Sequence, residues 1–134
     1  MIVWQLVADK WSGIRCEEEI AHDPSEDDFL LAFANLNARD RTTLCLEARN
    51  GRRLVIGGGG GSYVVYCSFS DDEFWNLTSS ATTNERVMLC AGGQEGDFPA
   101  RQIVDADHAR QAGLSFIKHA QLDSGLRWER GGSS

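Results

Sequence analysis

The chain has 134 residues and a mass of 14.8 kDa, with 42 % hydrophobic and 25 % charged residues, the make-up of one folded soluble domain. Twenty acidic residues against thirteen basic ones give a net charge of −7 and a pI near 4.8, which argues against a free nucleic-acid binder, since phosphate contacts need cations. No apolar run reaches the eighteen or so residues of a bilayer span, and the start, Met1 to Val7, has no basic stretch and meets Asp9 too soon for a signal peptide, so we expect a cytoplasmic protein.

Ile2, Trp4, Leu6 and Ala8 alternate and predict a first strand with these four on one face. A turn around Trp11-Ser12-Gly13 leads to a weaker strand near 14–20. Asp23 suits a helix cap, Pro24 the first helical position, and Glu26 the carboxylate that reaches back to the cap. Phe29, Leu30, Phe33 and Leu36 follow at helical spacing, which predicts a helix over 24–37.

The next segment specifies a hairpin to its register. A two-residue Asn50-Gly51 loop would set Leu44, Leu46 and Ala48 on the face opposite to Leu54 and Ile56. A three-residue Arg49-Asn50-Gly51 loop, with Gly51 left-handed, pairs Leu46 with Leu54 and Leu44 with Ile56. It also places Glu47 opposite Arg53, a favourable cross-strand pair. The three-residue loop is the better reading.

Gly57 to Gly61 then separate this strand from Ser62–Phe69, another strand. Phe74–Leu77 and Arg86–Ala91 read as short strands, Gly92–Asp97 as a loop, and Phe98–Val104 as extended chain. Asp105 caps a helix over 106–120, with Ala109, Ala112, Phe116 and Ala120 on its apolar side. Leu126–Glu129 closes the fold as a strand in which Trp128 is a core residue, and 131–134 is a disordered tail. The order predicts an α+β fold, a single domain over 1–130 with a mostly antiparallel sheet packed against two main helices.

Chemical motifs are sparse. The glycine run lacks the Gly-Lys-Ser/Thr ending of a phosphate loop and leads into a strand rather than a helix. Cys16, Cys45, Cys67 and Cys90 stand 29, 22 and 23 residues apart, with no close pair of the kind that binds zinc, and read as free thiols. His22, His108 and His119 form no metal-binding pattern. We therefore expect no catalytic residues, no metal and no cofactor. Acid is unevenly spread: Glu17, Glu18, Glu19, Asp23, Glu26, Asp27 and Asp28 fall within twelve residues free of Lys and Arg, and Asp71-Asp72-Glu73 directly precedes Phe74-Trp75.

Three stretches together carry a family resemblance. They are Leu54-Val55-Ile56-Gly57-Gly58-Gly59 followed by Tyr63-Val64-Val65; Gly92-Gly93-Gln94 with Gly96 and Phe98-Pro99; and Val104, Ala109, Ala112 and Phe116 leading to Leu126-Arg127-Trp128-Glu129. Over about residues 42–130 the chain resembles the Imm1 immunity proteins of bacterial polymorphic toxin systems. The resemblance implies a cytoplasmic protein that binds and neutralises a cognate toxin domain, often a nucleic-acid deaminase, and it transfers no catalytic residue. An acidic protein can occupy the basic cleft of such a toxin by electrostatic complementarity. Asp71, Asp72, Glu73 and Trp75, supported by Glu17, Glu18 and Glu19, are the candidate toxin-binding residues, with no direct contact to nucleic acid or membrane. A generic acidic adaptor domain, or a small hydrolase or ligand-binding protein using the glycine run, are the alternative readings.

Overall fold

In a computed structural model, residues 2–70, 72–80 and 85–131 are described. They form β1 (Val3–Ser12), β2 (Arg15–His22), α1 (Glu26–Asn35), β3 (Thr43–Ala48), β4 (Arg53–Gly59), β5 (Ser62–Ser70), β6 (Glu73–Leu77), β7 (Arg86–Ala91), β8 (Gln94–Pro99), α2 (Ala106–His119) and β9 (Trp128–Arg130). Seven strands make one sheet in the order β2-β1-β3-β4-β5-β6-β9, while β7 and β8 form a separate two-stranded hairpin. All these ladders are antiparallel, so the α+β expectation holds.

Both helices pack on one face of the large sheet. Alternation supplies that face with Leu44, Leu46 and Ala48 from β3, Leu54 and Ile56 from β4, and Tyr63, Val65 and Cys67 from β5. Phe29 and Phe33 of α1 and Ala109, Ala112, Phe116 and Ile117 of α2 close the core from above. Helix α2 carries Gly113 at mid-length because Phe29 lies directly on it; a Cβ there would overlap the ring.

The expected hairpin register is the observed one. Glu47 faces Arg53, Leu46 faces Leu54, Leu44 faces Ile56, and Gly51 has φ +87°. The glycine run is an ordered part of the sheet: Gly57–Gly59 complete β4, and Gly60 and Gly61, both at positive φ, make the tight turn into β5. Gly59 cannot be replaced, because a Cβ would come within 2.5 Å of the Asn37 backbone nitrogen, where the two segments form a bridge.

Three expectations need correcting. In β1 a bulge between Val3 and Gln5 shifts the alternation, so Val3 is buried and Ile2 is turned out, against the predicted Ile2–Trp4–Leu6–Ala8 face. Helix α1 is capped by Ser25 rather than Asp23. The Ser25 hydroxyl accepts the Asp28 N–H at 3.1 Å and the Asp28 carboxylate accepts the Ser25 N–H at 2.9 Å, leaving Asp23 outside at φ +47°. Gly92–Asp97 is not a loop: Gly92 and Gly93 make the turn, and Gln94–Pro99 pairs with β7 despite its polar sequence. Of the expected tail, residues 132–134 lie outside the described residues.

Trp128 is substantially buried, as expected, packed against the core, and its indole N–H donates to the Asp123 carbonyl at 3.0 Å. Trp128→Phe keeps an aromatic ring and removes the donor, and should cost about 0.5–1.5 kcal/mol in a urea titration, the worth of one hydrogen bond.

Candidate functional site

Among the described residues, the second face of the large sheet carries neither α1 nor α2. Its ladder registers align side chains in rows that cross the strands. One row runs His22, Gln5, Glu47, Arg53, Ser68, Phe74, mostly polar as a wetted face should be. The next runs Ile20, Val7, Cys45, Val55, Tyr66, and is apolar across five strands before it meets Asn76 and Glu129. Ile20 is 52 % and Tyr66 36 % exposed, and the three between them are half-buried. Tyr66 is braced edge-on by Phe74, with ring centroids 6.4 Å apart.

The β7–β8 hairpin lies over the following row. Gly57 makes room for it, since a Cβ there would sit 2.6 Å from Ala91 Cβ. The hairpin turn is fixed by a hydrogen-bonded latch. Asp9 accepts the Thr42 and Thr43 N–H groups at 2.7 and 2.9 Å, the Trp11 indole N–H at 2.8 Å, and the Thr42 hydroxyl. The Thr42 oxygen in turn accepts the Gly93 N–H at 2.9 Å. Gly93 itself packs on the Trp11 ring, where any side chain would overlap it. Burial alone would raise the Asp9 carboxyl; the donors of Thr42, Thr43 and Trp11 outweigh it and hold the group below its ordinary value. Between hairpin and sheet runs a cleft of about 230 Å³ whose walls include Val55, Val64, Tyr66, Ala91 and Phe98, with Asn76 and Gln102 as its amides.

The residues expected to bind a partner fall into two groups. Asp71 lies outside the described residues. Asp72 is exposed in the turn before β6, and Glu73 and Trp75 are half-buried on β6, joined by a 3.0 Å hydrogen bond from the indole N–H to the Glu73 carboxylate. Glu17, Glu18 and Glu19 are exposed on β2, the far edge strand, five strand spacings or about 24 Å from β6. Glu17 and Glu19 point to the helix side, where Glu19 pairs with Arg41, and Glu18 points to the open side. Trp75, opposite Cys67, is on the margin of the helix side. The two acidic groups therefore do not form one patch.

Residues 17–130 match the family described as immunity protein Imm1. The chain belongs to the Imm1 family. The match includes β2 and α1 and so reaches further towards the N-terminus than the motifs of the glycine run, the β7–β8 turn and α2. No curated protein matches the chain. In this Imm1 protein, no three His, Cys, Asp or Glu side chains among the described residues are placed to hold a metal ion. The four cysteines are free, and burial pushes the Cys45 and Cys67 thiols up to about 12, so both are inert at neutral pH. Among the described residues no helix is long and apolar enough to cross a membrane.

The open apolar row escaped the sequence reading, although a signal for it exists. Leu54-Val55-Ile56 and Tyr63-Val64-Val65-Tyr66 are continuous rather than alternating, the pattern of strands whose two faces are both apolar.

Proposed function

We propose that this Imm1 protein binds and neutralises a cognate bacterial toxin domain in the cytoplasm, acting by occlusion and not by catalysis. The toxin acts on nucleic acid, as a deaminase does, and its active-site cleft is basic. Family membership over residues 17–130 is the observation that carries the reading. The charge supports it: a net −7 favours encounter with a cationic surface and disfavours nucleic acid itself. Asp71, Asp72 and Glu73 beside Trp75, and Glu17 to Glu19 on β2, are the carboxylates that steer the approach.

A ligand-binding or hydrolytic role for the glycine run has less support. Gly57 borders a cleft, yet 230 Å³ is below the volume usual for small-molecule sites. The nearby Asp9 is committed to the latch and is held ionised, which suits a fixed acceptor rather than a proton donor.

Co-expression with a candidate toxin domain encoded next to this chain's gene is the direct test. Wild-type protein should permit growth and co-purify with the toxin. Reversing Asp71, Asp72 and Glu73 to Lys should slow association roughly tenfold or more at low salt, with the gap closing at high salt as charges are screened. A thermal melt should show the variant folded, lowered only by the loss of the Trp75 indole hydrogen bond to Glu73. Loss of protection by a folded variant with unaltered association kinetics would contradict the steering role. Failure of the wild type to bind or protect would overturn the immunity reading.

A further inference from the structure

We infer that the helix-free face of the sheet is the toxin-docking surface, with the apolar row and the hairpin cleft as its anchor. The inference rests on the immunity reading and names the surface that serves it. Neighbouring rows of this face differ in character. The row through Gln5, Glu47 and Arg53 is polar, as water requires, while the row from Ile20 through Val7, Cys45 and Val55 to Tyr66 is apolar on the same side, exposed at its two ends and half-buried between them, with the β7–β8 hairpin along its margin. It ends at the cleft between β7–β8 and the sheet. A cavity of about 150 Å³ suffices for a benzene ring, so about 230 Å³ takes one aromatic or branched aliphatic side chain.

The rim identifies the occupant. Glu18, Glu47, Asp72 and Glu95 make no ion pair among the described residues; of the arginines near them, Arg86 and Arg101 are tied to Asp97 and Glu129, and Arg53 stands exposed opposite Glu47, so acid outnumbers free base here. The fitting partner is thus a basic protein surface that projects an apolar side chain. Geometry adds a second argument. The strands that carry the acidic groups, β2 and β6, are five strand spacings or about 24 Å apart across the sheet, on the scale of a standard interface of roughly 800 Å² per partner. Glu18 and Glu47 point to the open side itself, so a partner that they hold lies across this face, while Glu17 and Glu19 are turned to the helix side. The carboxylates then set the rate of encounter, and the buried apolar anchor sets the lifetime of the complex.

The test uses the full chain and, as probe, a catalytically inactivated candidate toxin domain encoded next to its gene. Methyl resonances of Ile20, Val7, Val55 and Val64 should shift on addition of the toxin, and that of Leu31, 65 % exposed on α1, should not. Ile20→Ala/Tyr66→Ala should weaken binding at least tenfold, mainly through faster dissociation, and Leu31→Ala should stay within twofold of wild type. Thermal melts establish that each variant is folded, and the methyl shifts require no variant at all. If wild type binds while the row methyls stay still and the double variant keeps its affinity, the assigned surface is wrong and the immunity reading stands. If wild type does not bind, both fall. A concentration-dependent dimer of the free protein with the row already buried would overturn the assignment in favour of a second copy of this chain.

Discussion

Phe29→Ala should destabilise the fold by about 3–5 kcal/mol, as emptying a fully buried aromatic site does. The ring sits at the crossing of α1 and α2, stacked near Phe33 at 5.9 Å, and rests on Gly113. Glycine inside a helix costs about 1 kcal/mol relative to alanine, so a surface reading of α2 would recommend Gly113→Ala as stabilising. The reverse is expected here. The added methyl would overlap the Phe29 ring, and overpacking should cost about 1–3 kcal/mol. The two substitutions compensate in part, because the methyl introduced by Gly113→Ala enters the space that Phe29→Ala vacates. Urea titration of both single variants and the double should therefore give a double-variant cost clearly below the sum. Strict additivity would show that the helices part rather than repack.

Asp9→Asn should release the β7–β8 hairpin. One carboxylate oxygen accepts two backbone N–H groups and the other accepts the Trp11 indole and the Thr42 hydroxyl. Asparagine has one oxygen, so its NH₂ must face the paired backbone donors or the indole. The loss is about 1–3 kcal/mol for each buried donor left unpaired. Faster hydrogen exchange at the Gly93 amide, which the latch holds through Thr42, reports the release locally. The pH dependence has a definite sign. The folded-state carboxyl lies below its ordinary value of 3.8, so its contribution is complete above that value and disappears as pH falls through the folded one. The stability gap between wild type and Asp9→Asn should accordingly be widest near neutrality and narrow below about pH 4. A gap that stays constant into strong acid would mean that the latch does not depend on the charge.

Features written in neighbouring residues were legible in the sequence. The β3–β4 register follows from which face Leu46 and Leu54 must share, and the start of α2 from Asp105, whose carboxylate accepts the His108 N–H at 2.9 Å. The α1 cap was misplaced by two residues because Asp23-Pro24-Ser25 offers two competent caps, and only the reciprocal Ser25–Asp28 bonds separate them. Strand β8 was unreadable for another reason: Gln94-Glu95-Gly96-Asp97 has no apolar alternation, and its pairing is set by the Gly92–Gly93 turn and by β7. The latch joins Asp9 to residues 33 and 34 positions away, and no local pattern marks such a pair. The acidic residues were visible as charges, but their separation by five strand spacings depends on β1 lying between β2 and β3, a matter of topology rather than composition.

The bare side of the sheet has a consequence for how this protein tolerates change. In β3, the even positions Leu44, Leu46 and Ala48 point into the core, and the odd positions Thr43, Cys45 and Glu47 point away from it. Folding and outward chemistry are thus written in alternate letters of the same strands. A substitution at Cys45 or Val55 remakes the outer surface while the residues on either side continue to hold the helices. Recognition can drift by single steps of sequence without a matching debt in stability, and a scan of all substitutions along β3 to β5 should rise and fall with a period of two.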